Sequence, residues 1–466
     1  MGDGEPGPVA MRRPEPNFAI RLLGVAVLAV LVVASGLALS RGGVRTAAGA
    51  PGGAPLTGAW FCPHGGGDGW KGWVSVANPG TVPVGVRVTT FGTDRAPAVR
   101  SFTVPAHSEA YREVVVTDPA ASTEVEYFGG WVAAATVLQS SGSHPDVAAE
   151  RCVAGLARGW FLPDVPTSTD SHTSLVVVNP YDTIAEFDVV IRTNTRRLTP
   201  GELSPVVVKP NRSTSIDVEK YALEGQGEDT VTAQVVPKVG RVIAGSLVSS
   251  PQGVRAAVGI AAQSPRWLIP SAGYGGSARL VVMNVGAERA VLSATAEGPT
   301  AAAEVPGLAG VAMDPGAVQT FDVGQLANAG FDIHTGSQGA VALSLRVDGP
   351  QGGIATVDGT PDAHEGWVVL PSLPASGGAA RLVLQNPGKA PAAVSVTLLG
   401  PNGTVGAQGL AAVTVPPGAT VSLILPPSDV PLAAVVVATS GSIVAGGSAQ
   451  ALGGAGFAAS TGVPMP

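Results

Sequence analysis

Residues whose chemistry could support catalysis or metal binding are sparse in this chain of 466 residues. The six histidines are far apart in the sequence, and none has the spacing of a metal-binding motif. Most lie in segments rich in Gly, Ser or Asp, where a solvated loop histidine is the expected state. We therefore predict no metal site and no cofactor at these positions, which are His64, His107, His144, His172, His334 and His364.

Two other patterns share features with active sites. Glu124 and Glu126 alternate along a predicted strand, where a carboxylate pair could in principle serve glycoside hydrolysis, but solvation explains them without chemistry. The segment Gly67-x-Gly69-x-x-Gly72 lacks the preceding strand and following helix of a dinucleotide-binding loop. There is no nucleophile elbow, P-loop or His-Glu-x-x-His. We predict no catalytic residue and no enzyme; an active site would have to be assembled between repeats without a linear pattern.

The charge of the chain limits its partners. The formal net charge is −7, and no cluster of Lys and Arg is interleaved with aromatic residues, so a nucleic-acid partner is not expected. From residue 366 onward only Arg381, Lys389 and Asp429 are charged. A surface this neutral favours packing against another repeat, another copy, the membrane or the wall, although Gly, Ala, Ser and Thr could also keep it soluble.

One segment predicts a membrane anchor. Residues 22–39 are apolar and uncharged, which is about the minimum length for a transmembrane helix. We expect a cytoplasmic stub (1–21), a single signal-anchor span (22–39), a flexible stalk (40–58) and an extracytoplasmic bulk. A cleaved signal peptide is the alternative, since residues 38–40 resemble a cleavage site, and the protein would then be secreted.

The two cysteines predict a disulfide. Cys62 and Cys152 lie near the two ends of the first repeat. Outside the cytoplasm a pair of cysteines is more often bonded than free, and the bond would join the first and last strands of that repeat. Two unrelated buried thiols are the alternative.

Internal periodicity is the strongest signal in the sequence. Each repeat opens with a Trp, and a later apolar run ends in an Asn that is followed by Pro in three of the four repeats; the third has Val285 instead. A Pro turn follows at 105, 210, 315 and 417. The landmarks are Trp60, Trp160, Trp267 and Trp367, with Asn78, Asn179, Asn284 and Asn386. We expect these residues to be structural, with each Trp covering the core of its repeat; a ligand-stacking role for the Trp residues is the alternative.

The repeats predict an all-β fold. Short Val-rich runs separated by Gly and Pro indicate strands and turns, and several runs alternate apolar and polar residues as a half-buried strand does. Each repeat yields seven or eight predicted strands in about 100 residues, which fits an immunoglobulin-like β-sandwich. A propeller would need similarity between half-repeats that is not visible. The predicted domains are 59–157, 158–264, 265–364 and 365–466.

These landmarks resemble a known family. An aromatic-led opening, an apolar strand ending in Asn-Pro, a Pro turn about 30 residues later and a terminal Gly-containing strand are similar to secreted actinobacterial repeat proteins of family 5719 among the domains of unknown function. The resemblance covers about residues 59–466. It implies a setting at the cell envelope or surface and no known activity.

Two functions remain open. We expect a non-enzymatic, extracytoplasmic envelope protein that acts as a spacer and interaction scaffold for an envelope protein or glycan. The alternative is a carbohydrate- or wall-binding accessory protein in envelope glycan assembly. Such binders usually expose an aromatic platform, and the Trp residues that are not repeat landmarks are Trp70, Trp73 and Trp131, all in the first repeat.

Overall fold

The computed structural model describes residues 55–141, 146–155, 157–168, 170–221, 230–261, 263–271, 277–326, 328–336, 339–370, 373, 379–451 and 456–466. Residues 54–466 form one compact unit. Within the described residues, no helix has the length and apolar character needed to span a membrane. The predicted stub (1–21) and span (22–39) lie outside the described residues, as does most of the predicted stalk (40–58).

The described chain is all-β, as predicted, with three short 3-10 helices. The strands of the first predicted repeat are β1 (Thr57–Pro63), β2 (Trp70–Asn78), β3 (Val84–Phe91), β4 (Ala98–Val104), β5 (Ser108–Val114), β6 (Ser122–Phe128), β7 (Ala133–Ser140) and β8 (Val147–Arg151). Those of the second are β9 (Trp160–Leu162), β10 (His172–Asn179), β11 (Ala185–Thr193), β12 (Arg197–Leu198), β13 (Val206–Val208), β14 (Arg212–Asp217), β15 (Val231–Val239), β16 (Ile243–Ser250) and β17 (Gly253–Val258).

The second half of the chain follows the same order. The third predicted repeat contains β18 (Arg266–Ile269), β19 (Ala278–Asn284), β20 (Ala290–Glu297), β21 (Ala302–Glu304), β22 (Val311–Met313), β23 (Val318–Asp322), β24 (Gly330–Thr335), β25 (Val341–Asp348) and β26 (Ile354–Asp358). The fourth contains β27 (Gly366–Val369), β28 (Ala380–Asn386), β29 (Ala392–Gly400), β30 (Gly403–Val405), β31 (Val413–Val415), β32 (Ala419–Ile424), β33 (Ala433–Ser440), β34 (Val444–Gln450), β35 (Phe457–Thr461) and β36 (Val463–Pro464). The 3-10 helices are Gly201–Leu203, Glu219–Tyr221 and Gly324–Leu326.

The strands form antiparallel sheets of two kinds. Those that we call axial sheets have the strand orders β5-β2-β7-β8, β14-β10-β16-β17, β23-β19-β25-β26 and β32-β28-β34-β35. The lateral sheets are β1-β6-β3-β4, β9-β15-β11-β12, β18-β24-β20-β21 and β36-β27-β33-β29-β30, with β13, β22 and β31 attached to the second, third and fourth. In the first repeat, buried side chains from both kinds of sheet, such as Val76 and Val125, share one core, as in a β-sandwich.

Alternation in the sequence explains which face of a strand is buried. In β3 the side chains of Val84, Val86 and Val88 are buried, whereas Arg87 between them is exposed. Successive side chains of a strand point to opposite faces of the sheet, so this pattern leaves one face wet and buries the other.

The repeated Asn residues have a specific structural task. The side chain of Asn386 donates hydrogen bonds to the carbonyls of Ala390 (2.8 Å) and Val415 (3.0 Å), and its oxygen accepts one from the N–H of Gly388 (2.9 Å). Asn78, Asn179 and Asn284 make the corresponding bonds in their own repeats. The buried amide therefore joins the turn after one strand to a second strand 26 or 29 residues later.

The predicted disulfide is confirmed. Cys62 in β1 and Cys152, which follows β8, are bonded, with their Cα atoms 4.7 Å apart. The bond links the two sheets of the first repeat at a fully buried position.

The four axial sheets meet around a common axis. Their last strands pack in a cycle: β8 contacts β17, β17 contacts β26, β26 contacts β35, and β35 contacts β8. The sequence alone did not define how the repeats are arranged. The structure closes them into a ring, so the first and fourth repeats are neighbours.

The same edge of each axial sheet forms the contact with the preceding repeat. The hydroxyl of Ser213 donates to the carbonyl of Ala120 (2.5 Å), and the hydroxyls of Thr320 and Thr230 are 2.6 Å apart. The N–H of Gly330 donates to the hydroxyl of Thr420 (3.1 Å). In the first repeat β5, which contains Glu109, packs against β29 of the fourth repeat, and this contact closes the ring.

Candidate functional site

A cavity of about 340 Å³ lies where the four repeats meet, and all four repeat-opening Trp residues line it. Its size is near the lower end for small-ligand pockets, about 300–1,000 Å³. The charged residues in its wall are Arg151 and Asp358. The remaining lining is Trp60, Trp160, Trp267, Trp367, Val153, Ala154, Gly155, Gly259, Ile260, Ala261, Gly359, Thr360, Pro361, Thr461, Gly462, Val463 and Pro464. Ala154, Gly155 and Ala261 are exposed, so the cavity opens to solvent on their side.

Each indole is fixed by the same hydrogen bond. Its N–H donates to a backbone carbonyl of its own repeat at 2.6–2.8 Å, and the acceptors are Val132, Val242, Val341 and Ile443 in chain order. The indoles are buried at 7% exposure or less. They therefore provide rigid apolar wall, and none has an N–H left to offer a ligand.

Small residues allow the last segment of a repeat to pass close to the indole. A Cβ atom added at Gly359 would lie 2.9 Å from Cε3 of Trp267, and one at Gly259 would lie 3.0 Å from Cβ of Trp160. In both places only a glycine fits without a shift. Cys152 occupies the equivalent position of the first repeat, where the disulfide is formed.

The floor of the cavity brings opposite charges together from opposite sides of the ring. By strand register, Arg151, Val258, Asp358 and Thr461 are equivalent residues of the four last strands. Arg151 and Asp358 belong to the first and third repeats. Within the described residues the two charges form no ion pair with each other, and the buried Nε of Arg151 has no hydrogen-bond partner.

A second carboxyl lies behind the floor. Glu150 precedes Arg151, is 3% exposed and does not line the cavity. Burial raises its pKa well above the usual range, and the nearby charge of Asp358 raises it further. Burial also raises the pKa of Asp358, to about 6, against the effect of Arg151. Burial therefore disfavours the ionised form of both carboxyls, and the charge of Arg151 favours ionised Asp358.

The family match adds to this geometry. Two ranges, 114–353 and 333–457, match the family described as Family of unknown function (DUF5719). Together they cover most of the chain. The chain belongs to this family. No curated protein matches the sequence.

One solved structure gives a weak similarity to this DUF5719 chain. It is the Streptomyces avermitilis α-L-rhamnosidase complexed with L-rhamnose, at 11% sequence identity and a TM-score of 0.14. The alignment covers 79% of this chain and 54% of the rhamnosidase, so this chain spans about half of that structure. A TM-score this low supports no conclusion about fold or activity.

The three Trp residues proposed as a platform do not form one. Trp73 stacks on Tyr111 with ring centroids 5.8 Å apart, and Trp70 is half-buried against the core of the first repeat. Trp131 is buried at the far end of β2, where it meets Trp60 edge to face at 6.1 Å. The three indoles therefore pack in different places and do not share one exposed face.

The remaining candidate residues of the first repeat have structural partners. Glu126 forms an ion pair with Arg87 at 2.5 Å, and Glu124 is on the same face of β6 with a pKa raised to about 7 by burial and by Glu126. The expectation that the histidines are solvated is wrong for His64. Its ring is buried between the carbonyl of Gly65 (2.7 Å) and the hydroxyl of Thr123 (2.8 Å), and burial lowers its pKa to about 4.

The fold also assembles a cluster that the linear spacing does not reveal. His172, Asp217 and Glu219 of the second repeat come together at the surface, with His172 Nδ1 2.8 Å from Glu219 Oε1 and Nε2 3.7 Å from Asp217. The ammonium of Lys220 is 3.8 Å from Asp217, and Glu219 also accepts the N–H of Thr173. These carboxylates are thus already engaged by donors of the protein.

Proposed function

We propose that this chain is a non-enzymatic binding protein of the cell envelope, in which four repeats form a compact scaffold around a ligand-binding cavity. The observation that carries the proposal is the convergence of one Trp from every repeat, together with Arg151 and Asp358, on a single cavity. Mostly apolar lining with a few converging polar groups is typical of small-ligand sites.

The arrangement supports binding better than hydrolysis. Glycoside hydrolysis requires two carboxyl groups that both reach the substrate. Asp358 lines the cavity, whereas Glu150 is behind it and buried. One carboxylate and one guanidinium on the same cavity are suited to holding a ligand in place.

The finer architecture belongs to the same proposal. We assign the sheets to four immunoglobulin-like sandwiches at 59–157, 158–264, 265–364 and 365–466. The closed cycle of β8, β17, β26 and β35 favours a compact platform over an extended spacer. Envelope proteins and glycans remain the proposed partners.

The proposed address is extracytoplasmic, with one membrane span at 22–39. The disulfide between Cys62 and Cys152 supports an oxidising compartment. The localisation can be tested by adding a C-terminal tag to the protein and treating intact spheroplasts with protease. Digestion of the tag from outside supports the anchored form, a secreted product beginning near residue 41 supports cleavage, and a protected tag contradicts both.

Blocking the cavity tests the binding function. Gly155 is exposed at the mouth, and an added Cβ meets no atom within 4 Å, so Gly155→Trp is expected to fold and to obstruct entry. Gly201→Trp is the matched control because Gly201 is equally free of contacts and lies outside the lining. Ligand-induced changes in Trp fluorescence should disappear in Gly155→Trp alone. Equal responses in both variants would place the ligand elsewhere.

A further inference from the structure

We propose that the axial cavity binds the uncharged end of a saccharide, with a vicinal pair of hydroxyls held between Arg151 and Asp358. This inference rests on the proposed binding function and specifies its ligand class. It is carried by Arg151 and Asp358, which both line the cavity and form no ion pair with each other in the described residues, by the mostly apolar walls and by the open mouth.

The floor presents complementary hydrogen-bonding groups. A guanidinium only donates hydrogen bonds and an ionised carboxylate only accepts them. Arg151 and Asp358 reach the cavity from opposite sides and do not satisfy one another within the described residues. A hydroxyl can do both, so adjacent hydroxyls accept from Arg151 and donate to Asp358. Such bonds to charged groups are stronger than those between neutral groups.

Charge balance favours an uncharged ligand. An anion would gain from Arg151 but would be repelled by Asp358, and a cation would meet the reverse. Glu150 does not line the cavity, and burial raises its pKa, which disfavours a second negative charge close to Asp358. A polyol brings no charge into the site, and it therefore avoids the large penalty of burying an ion.

The walls fit the carbon face of a sugar ring. The four indole N–H groups are already bonded to carbonyls, and Val153, Ile260 and Val463 add aliphatic surface. Sugar hydroxyls that point toward these walls would find few hydrogen-bond partners. The ring must therefore enter edge first, with its C–H faces against the walls and one hydroxyl edge at the floor.

The mouth determines which part of a glycan can enter. The exposed Ala154, Gly155 and Ala261 form an open rim of small residues. The edge of the sugar opposite the floor faces this rim, so it can carry a further sugar without a clash. The ligand is thus a terminal unit, and a free monosaccharide and a glycan end share this chemistry.

The test is calorimetric titration of the full chain with four panels of probes. They are neutral monosaccharides, neutral oligosaccharides with a free terminal vicinal diol, deoxy analogues that lack one of those hydroxyls, and zwitterionic amino acids. We expect binding by at least one neutral sugar and a loss of about 10- to 100-fold for its deoxy analogue, the range for hydrogen bonds to charged groups. Tighter binding of oligosaccharides than of monosaccharides would identify the end of a glycan as the ligand. Equal binding would identify a free monosaccharide as the ligand.

Variants connect the affinity to the two floor residues. Arg151→Met and Asp358→Asn should each weaken binding about 10- to 100-fold. Arg289→Met and Asp314→Asn are matched controls, because that exposed pair is outside the cavity. Arg151→Lys keeps the charge and should fold even if the other variants do not; it loses the planar fork and should also weaken binding.

The outcomes separate the ligand class from the underlying function. Sugar binding that is unchanged in Arg151→Met, Arg151→Lys and Asp358→Asn overturns this inference. Binding of amino acids in place of sugars, with dependence on the same residues, overturns the ligand class and leaves the binding function intact. If no probe of any panel binds, and Gly155→Trp and wild type give the same Trp fluorescence response, both the ligand class and the binding function are overturned.

Discussion

Two buried carboxyls at the borders of the fourth repeat should make the stability of the ring depend on pH. Glu109 is 3% exposed at the contact between the first and fourth repeats, and Glu297 is 4% exposed at the contact between the third and fourth. Burial raises the pKa of each from 4.5 to about 7. Neither residue has a cation as hydrogen-bond partner: Ser75 donates to Glu109 (2.5 Å) and Gln385 to Glu297 (2.8 Å).

The sign and size of the effect follow from proton linkage. Because the folded protein holds these protons more tightly, their contribution to stability is fully present below pH 4.5 and is lost as the pH rises through about 7. A difference of about 2.5 pKa units at 1.36 kcal/mol each gives about 3 kcal/mol per carboxyl. That is a large part of the ~5–15 kcal/mol that usually separates folded from unfolded states.

Glu109→Gln and Glu297→Gln isolate this effect because the amide oxygen can still accept the existing hydrogen bond. We expect each variant to be up to about 3 kcal/mol more stable than wild type at pH 8.5 and to show no gain at pH 5. Urea denaturation followed by Trp fluorescence between pH 5 and 8.5 provides the measurement. Glu304→Gln, on an exposed strand position, is the control and should follow wild type. Parallel stability curves for wild type and both buried variants would refute the reasoning.

Three further substitutions test the structural roles of repeated residues by urea denaturation. Asn386→Ala should lower the free energy of unfolding by about 2–4 kcal/mol because it leaves buried backbone groups without partners; an unchanged midpoint would contradict that role. Replacing Cys62 and Cys152 together by Ala should lower it by about 2–5 kcal/mol, and reduction of wild type should reproduce the loss. Gly359→Ala should lower it by about 1–3 kcal/mol by displacing Trp267, whereas Gly406→Ala, where an added Cβ meets nothing within 4 Å, should have little effect.

Local patterns predicted much of the fold. Alternation in segments such as β3 fixed the buried face, and the spacing of Trp and Asn located the repeats. The bond between Cys62 and Cys152 was predicted from the expected extracytoplasmic location and from their positions near the two ends of the first repeat. The Asn side chains could not be interpreted in the same way. Each Asn has one hydrogen-bond partner that lies 26 or 29 residues away, and the Pro that follows three of them offered a simpler local explanation for the end of each strand.

Closure of the ring and the cavity could not be predicted from the sequence. The contacts between repeats combine apolar packing with single short polar residues such as Ser213 and Thr420, and both kinds of residue look like ordinary strand residues. Arg151 and Asp358 stand in different repeats, and no motif connects them. The regular spacing of the repeat-opening Trp residues indicated a core role and not an exposed aromatic platform. They are buried, and they also form the wall of the cavity.

The four repeats carry different residues at the level of Arg151 and Asp358. In a ring of identical repeats any axial side chain occurs four times, so a charged residue there would face three like charges at short range. Arg151 and Asp358 of the first and third repeats line the cavity, and the equivalent residues of the second and fourth repeats are Val258 and Thr461. Opposite charges on one axis require the repeats to diverge at this position. The Trp and Asn landmarks are under no such constraint and are repeated in all four. The difference between Arg151 and Asp358 therefore supports the proposed binding function, whereas the repeated Trp and Asn residues serve the fold.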